Sequence, residues 1–160
     1  MKRKAFVLAA ALALIGAVEA SARSSAAIGG EFGLPLVGGL PDSTAMLTFK
    51  LPKFPPVFGL GAYIPKAGGQ ASLALTADWW LAQGHLFSFV DYYLGPGVFV
   101  GISQGAQLGL RVPIGLDAYP IKPLECFVEF APALYLLDSS GAVSIPNFGL
   151  QAGFGIRFWF

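Results

Sequence analysis

The chain has few of the residues that build catalytic and metal sites. Its 160 residues include one cysteine, Cys126, and one histidine, His85. A lone cysteine excludes an internal disulfide and a cysteine-based metal centre. Hydrolytic and acyl-transfer sites of the triad type use a histidine with a serine and an orienting acid, and no such set converges on His85. We therefore expect no enzyme activity, no catalytic residues, no metal and no cofactor.

Charge is also sparse. Asp, Glu, Lys and Arg make up 12% of the residues, against 55% for hydrophobic residues. Downstream of residue 22 there are seven basic and eight acidic residues, a net charge of 7 − 8 = −1. Without a basic patch, nucleic acid is excluded as an expected partner. Aromatic and branched residues are too frequent for a disordered coil.

Long apolar runs are missing after the amino terminus. Lys2, Arg3 and Lys4 precede an apolar stretch over residues 5–18, which falls short of the roughly 18–20 residues that span a bilayer as a helix. The following Ala20-Ser21-Ala22 is typical of a signal-peptide cleavage site. We expect residues 1–22 to be a cleaved secretory signal and residues 23–160 to form a single domain. A membrane-anchor helix is the alternative.

Strand-like segments separated by turn residues occupy the rest of the chain. An even number of strands lets both termini lie on one side of a membrane, and most segments reach the roughly 9–11 residues that a tilted spanning strand needs. The third is short, and Pro96, Pro113 and Pro132 should distort the strands that contain them. The eight predicted strands cover residues 27–36, 44–51, 57–64, 71–81, 86–100, 106–117, 124–136 and 147–160.

Alternation within these segments sorts the side chains by polarity. In the last one, Phe148, Leu150, Phe154 and Ile156 share one parity, while glycines and Arg157 share the other. Because side chains in a strand alternate between its two faces, each strand has one apolar face and one small or polar face. Every charge within a predicted strand lies on the polar parity: Glu31, Lys50, Asp78, Asp91, Arg111, Asp117, Glu125, Glu129 and Arg157.

Parity alone leaves open which face meets water. A soluble lipocalin-like binder would direct its charges outward, but nine charges over eight strands give thin cover for an aqueous surface. The polar face is rich in glycine, which suits the narrow interior of an eight-stranded barrel. The pattern therefore favours an all-β fold, an eight-stranded antiparallel up-and-down barrel whose apolar face meets outer-membrane lipid. Trp79, Tyr92 and Phe158 are expected near strand ends as an interfacial girdle.

Three segments resemble a known family. They are Leu108-Gly-Leu-Arg-Val-Pro-Ile-Gly-Leu116, Glu125-Cys-Phe-Val-Glu-Phe-Ala-Pro132 and Gly153-Phe-Gly-Ile-Arg-Phe-Trp-Phe160. They are similar to the small OmpA-like outer-membrane barrels, especially the short single-domain barrels of spirochaetes. The resemblance covers the second half of the chain well and the first half by pattern.

The resemblance implies eight antiparallel strands with both termini in the periplasm. It also implies that the barrel assembly machinery reads the aromatic carboxyl-terminal strand, here with Phe158 and Phe160. Roles in envelope integrity, narrow channels or host-surface binding follow from the same resemblance. The outer loops of this chain are short for that family, with residues 137–146 the longest, which weakens the expectation of recognition through loops.

The antiparallel order allows the register inside the barrel to be estimated. Folding about Pro120 places Arg111 opposite Glu129, and folding about Gly141 places Arg157 opposite Glu125. Such pairs would form either a plug or a gate in the interior.

A two-residue turn at Gly84-His85 would place Asp78 opposite Asp91, and Lys50 is a candidate cation near these two carboxylates. A metal between them would lack a third ligand.

The functional expectation is an exported, monomeric barrel of the cell outer membrane. Its charged interior suits a structural role or a narrow, mostly closed, porin-like channel. The first alternative is a surface adhesin that binds a host ligand through its outer loops. The second is the soluble lipocalin-like binder.

Overall fold

The computed structural model describes residues 25–38, 43–64, 72–102, 105–137 and 143–160. Within these ranges all the regular secondary structure is β-strand, and no helix long and apolar enough to cross a membrane occurs. The predicted signal, residues 1–22, lies outside the described residues. The strands are β1 (Ala27–Gly38), β2 (Thr44–Lys50), β3 (Val57–Tyr63), β4 (Ser72–Asp78), β5 (Ala82–Phe87), β6 (Val90–Leu94), β7 (Gly97–Ile102), β8 (Ala106–Arg111), β9 (Ile114–Ile121), β10 (Leu124–Leu137) and β11 (Val143–Trp159).

Three short interruptions divide eight long strands into these eleven segments. They separate β4 from β5, β6 from β7 at Gly95 and Pro96, and β8 from β9 at Val112 and Pro113. Proline has no N–H for the ladder, so the distortion predicted at Pro96 and Pro113 is confirmed. Neighbouring strands stay linked across the breaks, since the Gly95 amide donates to the Pro113 carbonyl at 3.2 Å. Pro132, in contrast, lies inside the uninterrupted β10.

The eight strands close into an antiparallel barrel, as predicted, through pairing of β11 with β1. The stagger of the barrel is found by moving from each residue to its direct partner on the next strand. A path that starts at Ala27 of β1 returns to β1 at Gly38, eleven positions further on (38 − 27 = 11), and crosses a register shift between Pro35 and Val37. A stagger of this size means that the strands are tilted against the barrel axis. The path runs through Ala27, Lys50, Val57, Asp78, Gly97, Arg111, Ala133, Gly149 and Gly38.

The turn between the fourth and fifth long strands differs from the prediction. It lies at Ser88 and Phe89, where Ser88 has a positive φ of 52°. Gly84 and His85, the predicted turn, are strand residues of β5 paired with Tyr92 and Asp91. The glycine serves close packing instead, because a Cβ at Gly84 would lie 2.7 Å from the Tyr92 ring. Asp78 consequently pairs with Gly97, and its predicted position opposite Asp91 is wrong.

The next turn on the same end was also misplaced. It lies at Lys122 and Pro123, so Pro120 belongs to β9. A register shift opposite this stretch, between Leu124 and Cys126, accommodates the proline within the strand. Arg111 therefore pairs with Ala133 rather than with Glu129.

The predicted register of the last two long strands is confirmed. Glu125 of β10 pairs directly with Arg157 of β11.

The barrel is polar inside and apolar outside. Among the described residues, the exposed side chains of Lys, Arg, Asp and Glu are Lys53 and Lys122. Both lie in turns at the barrel end where β1 begins and β11 ends. The outward faces of the strands carry large exposed apolar side chains around the barrel: Ile28, Leu34, Leu47, Leu60, Leu73, Leu110, Ile114, Leu116, Val128, Phe130, Phe154 and Ile156.

The expected aromatic girdle is only partly outward. Phe158 is 46% exposed, but Trp79 is buried at 6% exposure, contrary to the prediction. Trp79 lies in the irregular stretch between β4 and β5, where strict alternation ends and both Trp79 and Trp80 are buried.

Candidate functional site

The interior is organised by glycines that face inward. Each of four such glycines is paired in register with one large or polar residue on either side, and the two neighbours meet over it. This explains why the polar parity is rich in glycine, since a Cβ at Gly97, Gly109 or Gly115 would collide with the side chain beside it. The four triplets are Arg111–Gly97–Asp78, Tyr93–Gly115–Glu129, Arg157–Gly29–Thr48 and Phe99–Gly109–Tyr135.

One ionic layer is built on Arg157, near the barrel end where β1 begins and β11 ends. Its Nη1 lies 2.7 Å from Glu125 Oε1, and its Nε donates to Thr48 Oγ1 at 3.2 Å. The other oxygen of Glu125 accepts the indole N–H of Trp159. The guanidinium also lies 3.7 Å from the ring centre of Phe127. Both ionic side chains are almost fully buried, at 2% and 0% exposure, so this is a desolvated, well-satisfied pair.

Trp80 completes this layer. Its ring lies 5.1 Å from the Arg157 guanidinium and stacks on Tyr93 with ring centres 4.3 Å apart. The layer therefore fills the barrel with aromatic rings around one buried cation.

A second ionic layer is built on Arg111. Its Nη2 pairs with Glu129 Oε1, so this predicted ion pair forms although the two residues are not opposite in register. Arg111 Nε also lies 3.1 Å from Asp78 Oδ1, an ion pair without an aligned hydrogen bond. Tyr93 donates its hydroxyl to Glu129 Oε2 at 2.8 Å, and Arg111 Nη1 lies 3.5 Å from Gln151 Oε1.

Two further predicted residues border these layers. Glu31 of β1 pairs in register with Gly155, and its Oε1 would lie 2.9 Å from a Cβ at Gly153. Lys50 donates through Nζ to the carbonyl oxygens of Leu51, at 3.3 Å, and Phe54. Lys50 thus holds the turn after β2, instead of bridging Asp78 and Asp91 as predicted.

Asp91 and Asp117 form a separate cluster, at the barrel end where β1 begins and β11 ends. They are direct partners across β6 and β9. His85 Nδ1 lies 2.8 Å from Asp91 Oδ1, and Tyr119 donates to Asp117 Oδ2 at 2.8 Å. Among the described residues no group of three or more His, Cys, Asp or Glu side chains is arranged to hold a metal ion.

Sequence reasoning did not identify the neutral members of these layers. Tyr93, Thr48 and Gln151 contact the charged side chains directly. Parity was the available signal, because Tyr93 shares the parity of Asp91, and Gln151 that of Arg157.

Little space remains between these side chains. A cavity of about 20 Å³ lies beside the Arg111 layer, enough for about one water molecule. Its polar lining comes from Thr44, Thr76, Arg111 and Gln151. The arrangement can hold the barrel shut, with no room here for an organic ligand.

Comparison with known proteins gives no relative: no protein family, curated protein or solved structure matches the chain. The OmpA-like resemblance and the reading of the carboxyl-terminal strand by the assembly machinery therefore stay predictions. The two aromatic residues concerned are accessible, since Phe158 is 46% and Phe160 68% exposed, with ring centres 5.8 Å apart.

Proposed function

We propose that this chain is an integral outer-membrane β-barrel with a closed, salt-bridged interior and a structural role in the cell envelope. The inverted distribution of polarity carries the proposal. Arg111, Glu129, Arg157 and Glu125 are buried inside the barrel, whereas the outward strand faces present large apolar side chains. Lipid is the solvent that suits such a surface, and a closed barrel leaves no unpaired edge around its hydrocarbon-facing girth.

The soluble lipocalin-like alternative fits these features poorly. A monomeric soluble protein rarely exposes a contiguous apolar surface larger than a few hundred Å². Here large exposed apolar side chains surround the barrel. A lipocalin-like binder also needs an interior cavity for its ligand. The described interior offers a cavity of about 20 Å³.

The filled interior favours a barrel that is closed at rest over an open channel. Two ionic layers lie in series, one on Arg111 and one on Arg157, and aromatic rings fill the space around the second. The two members of each buried ion pair are strongly coupled, because removing one leaves the other as an unpaired buried charge, at a cost of about 3–5 kcal/mol. The outer segments that an adhesin would use, residues 39–42, 65–71, 103–104 and 138–142, lie outside the described residues.

Fractionation of cells that express the chain tests the proposal. We expect the processed protein in the outer-membrane fraction, released by detergent and not by alkali or high salt. On gels, the unheated sample should run at a different position from the boiled sample, since a closed barrel resists unfolding in detergent. A processed chain that stays monodisperse in plain buffer would overturn the proposal.

A further inference from the structure

The outward wall formed by β6, β9 and β10 contains an apolar groove. Its volume is about 280 Å³, close to the lower end of small-molecule pockets. Among the described residues, no charged side chain lines it. The lining residues that face outward are Tyr92, Leu94, Ile114, Leu116, Val128 and Phe130.

The groove follows from two local features of the wall. It lies beside the breaks at Gly95–Pro96 and Val112–Pro113, where β6 and β9 begin or end and the sheet is interrupted. Tyr92 lies over Gly84, which has no side chain to hold the ring away, as the 2.7 Å approach of a Cβ at Gly84 shows. The depression therefore follows from the strand breaks together with the position of the Tyr92 ring over Gly84.

A cation lies beyond the groove, in the turn toward which β9 runs. Lys122 is exposed and belongs to the turn that joins β9 to β10, two of the strands that form the groove. Leu116 is six residues from Lys122 (122 − 116 = 6), or about 20 Å along a strand. At a tilt of 35–45° this corresponds to a depth of about 15 Å. That depth is half of the roughly 30 Å hydrocarbon core, the reach of one lipid leaflet.

We propose that the groove binds one acyl chain of an anionic phospholipid whose headgroup phosphate pairs with Lys122. The inference rests on the proposed membrane location. An acyl chain gains little by leaving other chains for an apolar wall, since both surroundings are equally apolar. The preference must therefore come from the charge at Lys122. One lysine near an anionic lipid surface contributes about 1 kcal/mol, or about fivefold in affinity.

The chain carries its own reporter for this site. Cys126 is the single cysteine and lies on β10, on the same parity as Val128 and between the groove and Lys122. A fluorophore on Cys126 in a reconstituted barrel would be quenched by brominated acyl chains next to it. Brominated phosphatidylglycerol, which is anionic, and brominated phosphatidylcholine, which is zwitterionic, are each diluted into unbrominated phosphatidylcholine.

We expect stronger quenching by the anionic lipid at Cys126, corresponding to about fivefold local enrichment, and loss of that excess in Lys122→Gln. Lys53→Gln, which removes the other exposed turn lysine among the described residues, should leave the excess unchanged. A second control places the label on the β3 wall through Leu60→Cys with Cys126→Ser, where both lipids should quench equally. Leu60 is 43% exposed and outward.

Equal quenching by the two lipids at Cys126 would overturn the lipid site and leave the membrane proposal standing. Quenching at position 60 without quenching at Cys126 would mean that another protein surface, such as a second copy, covers the groove, and would also overturn it. Absence of quenching at both positions would show that the chain is not inserted, and both proposals would fall.

Discussion

Arg157 illustrates how one buried residue holds several strands together. It contacts Glu125 on β10 and Thr48 on β2, and it lies against Phe127. We expect Arg157→Met to destabilise the barrel by about 3–5 kcal/mol, because Glu125 keeps a buried, uncompensated charge. The measurement is urea unfolding in lipid vesicles, followed by tryptophan fluorescence.

The control for Arg157 removes both charges. In Arg157→Met with Glu125→Gln no charge is stranded, so the double variant should be more stable than Arg157→Met alone. Simple addition of the two single effects would contradict strong coupling between the residues.

Tyr93 supports the second ionic layer through its hydroxyl group. Tyr93→Phe removes the hydrogen bond to Glu129 and keeps the stacking on Trp80. A hydrogen bond to a charged group is worth about 1.5–3 kcal/mol, and we expect a loss of that size in the same unfolding assay. Tyr92→Phe, on the outward face of the same strand, should change stability by less than about 0.5 kcal/mol. Equal losses in the two variants would refute the assigned role of the Tyr93 hydroxyl.

Residue parity gave the interior face but not the contacts within it. The inward side of Arg157 follows from alternation in β11, whereas its bond to Thr48 joins residues 109 positions apart. That contact exists only because β11 closes on β1 and Gly29 lies between the two side chains. Closure and stagger are properties of the whole barrel, so no single segment encodes them.

At each of these inward glycines, side chains from the two neighbouring strands occupy the space that a side chain at the glycine would fill. Gly115 has Tyr93 on one side and Glu129 on the other, and a Cβ there would strike the Tyr93 ring. We expect Gly115→Ala to cost about 1–3 kcal/mol, the usual range for overpacking. Gly30 is a matched glycine with open space, since the nearest atom to a Cβ there is 3.9 Å away.

Gly30→Ala should therefore leave unfolding unchanged or slightly raise the stability, because alanine restricts the unfolded chain more than glycine does. Thermal midpoints of heat-shifted gel bands compare the two variants directly. Equal tolerance of Gly115→Ala and Gly30→Ala would contradict the packing of side chains over inward glycines.

Strand ends were harder to predict than strand faces, for a reason that Gly84 shows. Glycine before His85 resembles a two-residue hairpin, yet Gly84 is needed where Tyr92 approaches it. A glycine that a turn requires and a glycine that packing requires are identical in sequence. The same ambiguity affects prolines, since Pro120 lies at a register shift within a strand and Pro123 lies in the turn.

At the scale of the whole molecule, the number of strands and the inward face could be predicted because charge and alternation report on them. All nine predicted strand charges follow one parity. The register between β8 and β10 could not be predicted, because a turn misplaced by two or three residues shifts every pair of residues between the two strands. Arg111 and Glu129 still meet because a long guanidinium side chain spans the difference between their positions.

The two ionic layers make a prediction about conductance. Because they block the barrel in series, wild-type protein in planar bilayers should show no steady single-channel steps. Arg111→Ala should also stay silent, since Arg157, Trp80 and Phe127 still fill the other layer. Steady steps from the wild type would contradict a closed interior and favour the narrow channel.

Removing both cations takes the largest polar side chain out of each layer and leaves its carboxylate partner buried and unpaired. Arg111→Ala with Arg157→Ala leaves Glu125 and Glu129 in the interior, so water should enter and the steps should be cation-selective. Only preparations that keep the heat-shifted band are measured, and Arg111→Ser with Arg157→Ser is the substitute if the first variant does not insert. Anion-selective steps in either double variant would contradict the placement of these carboxylates along the opened path.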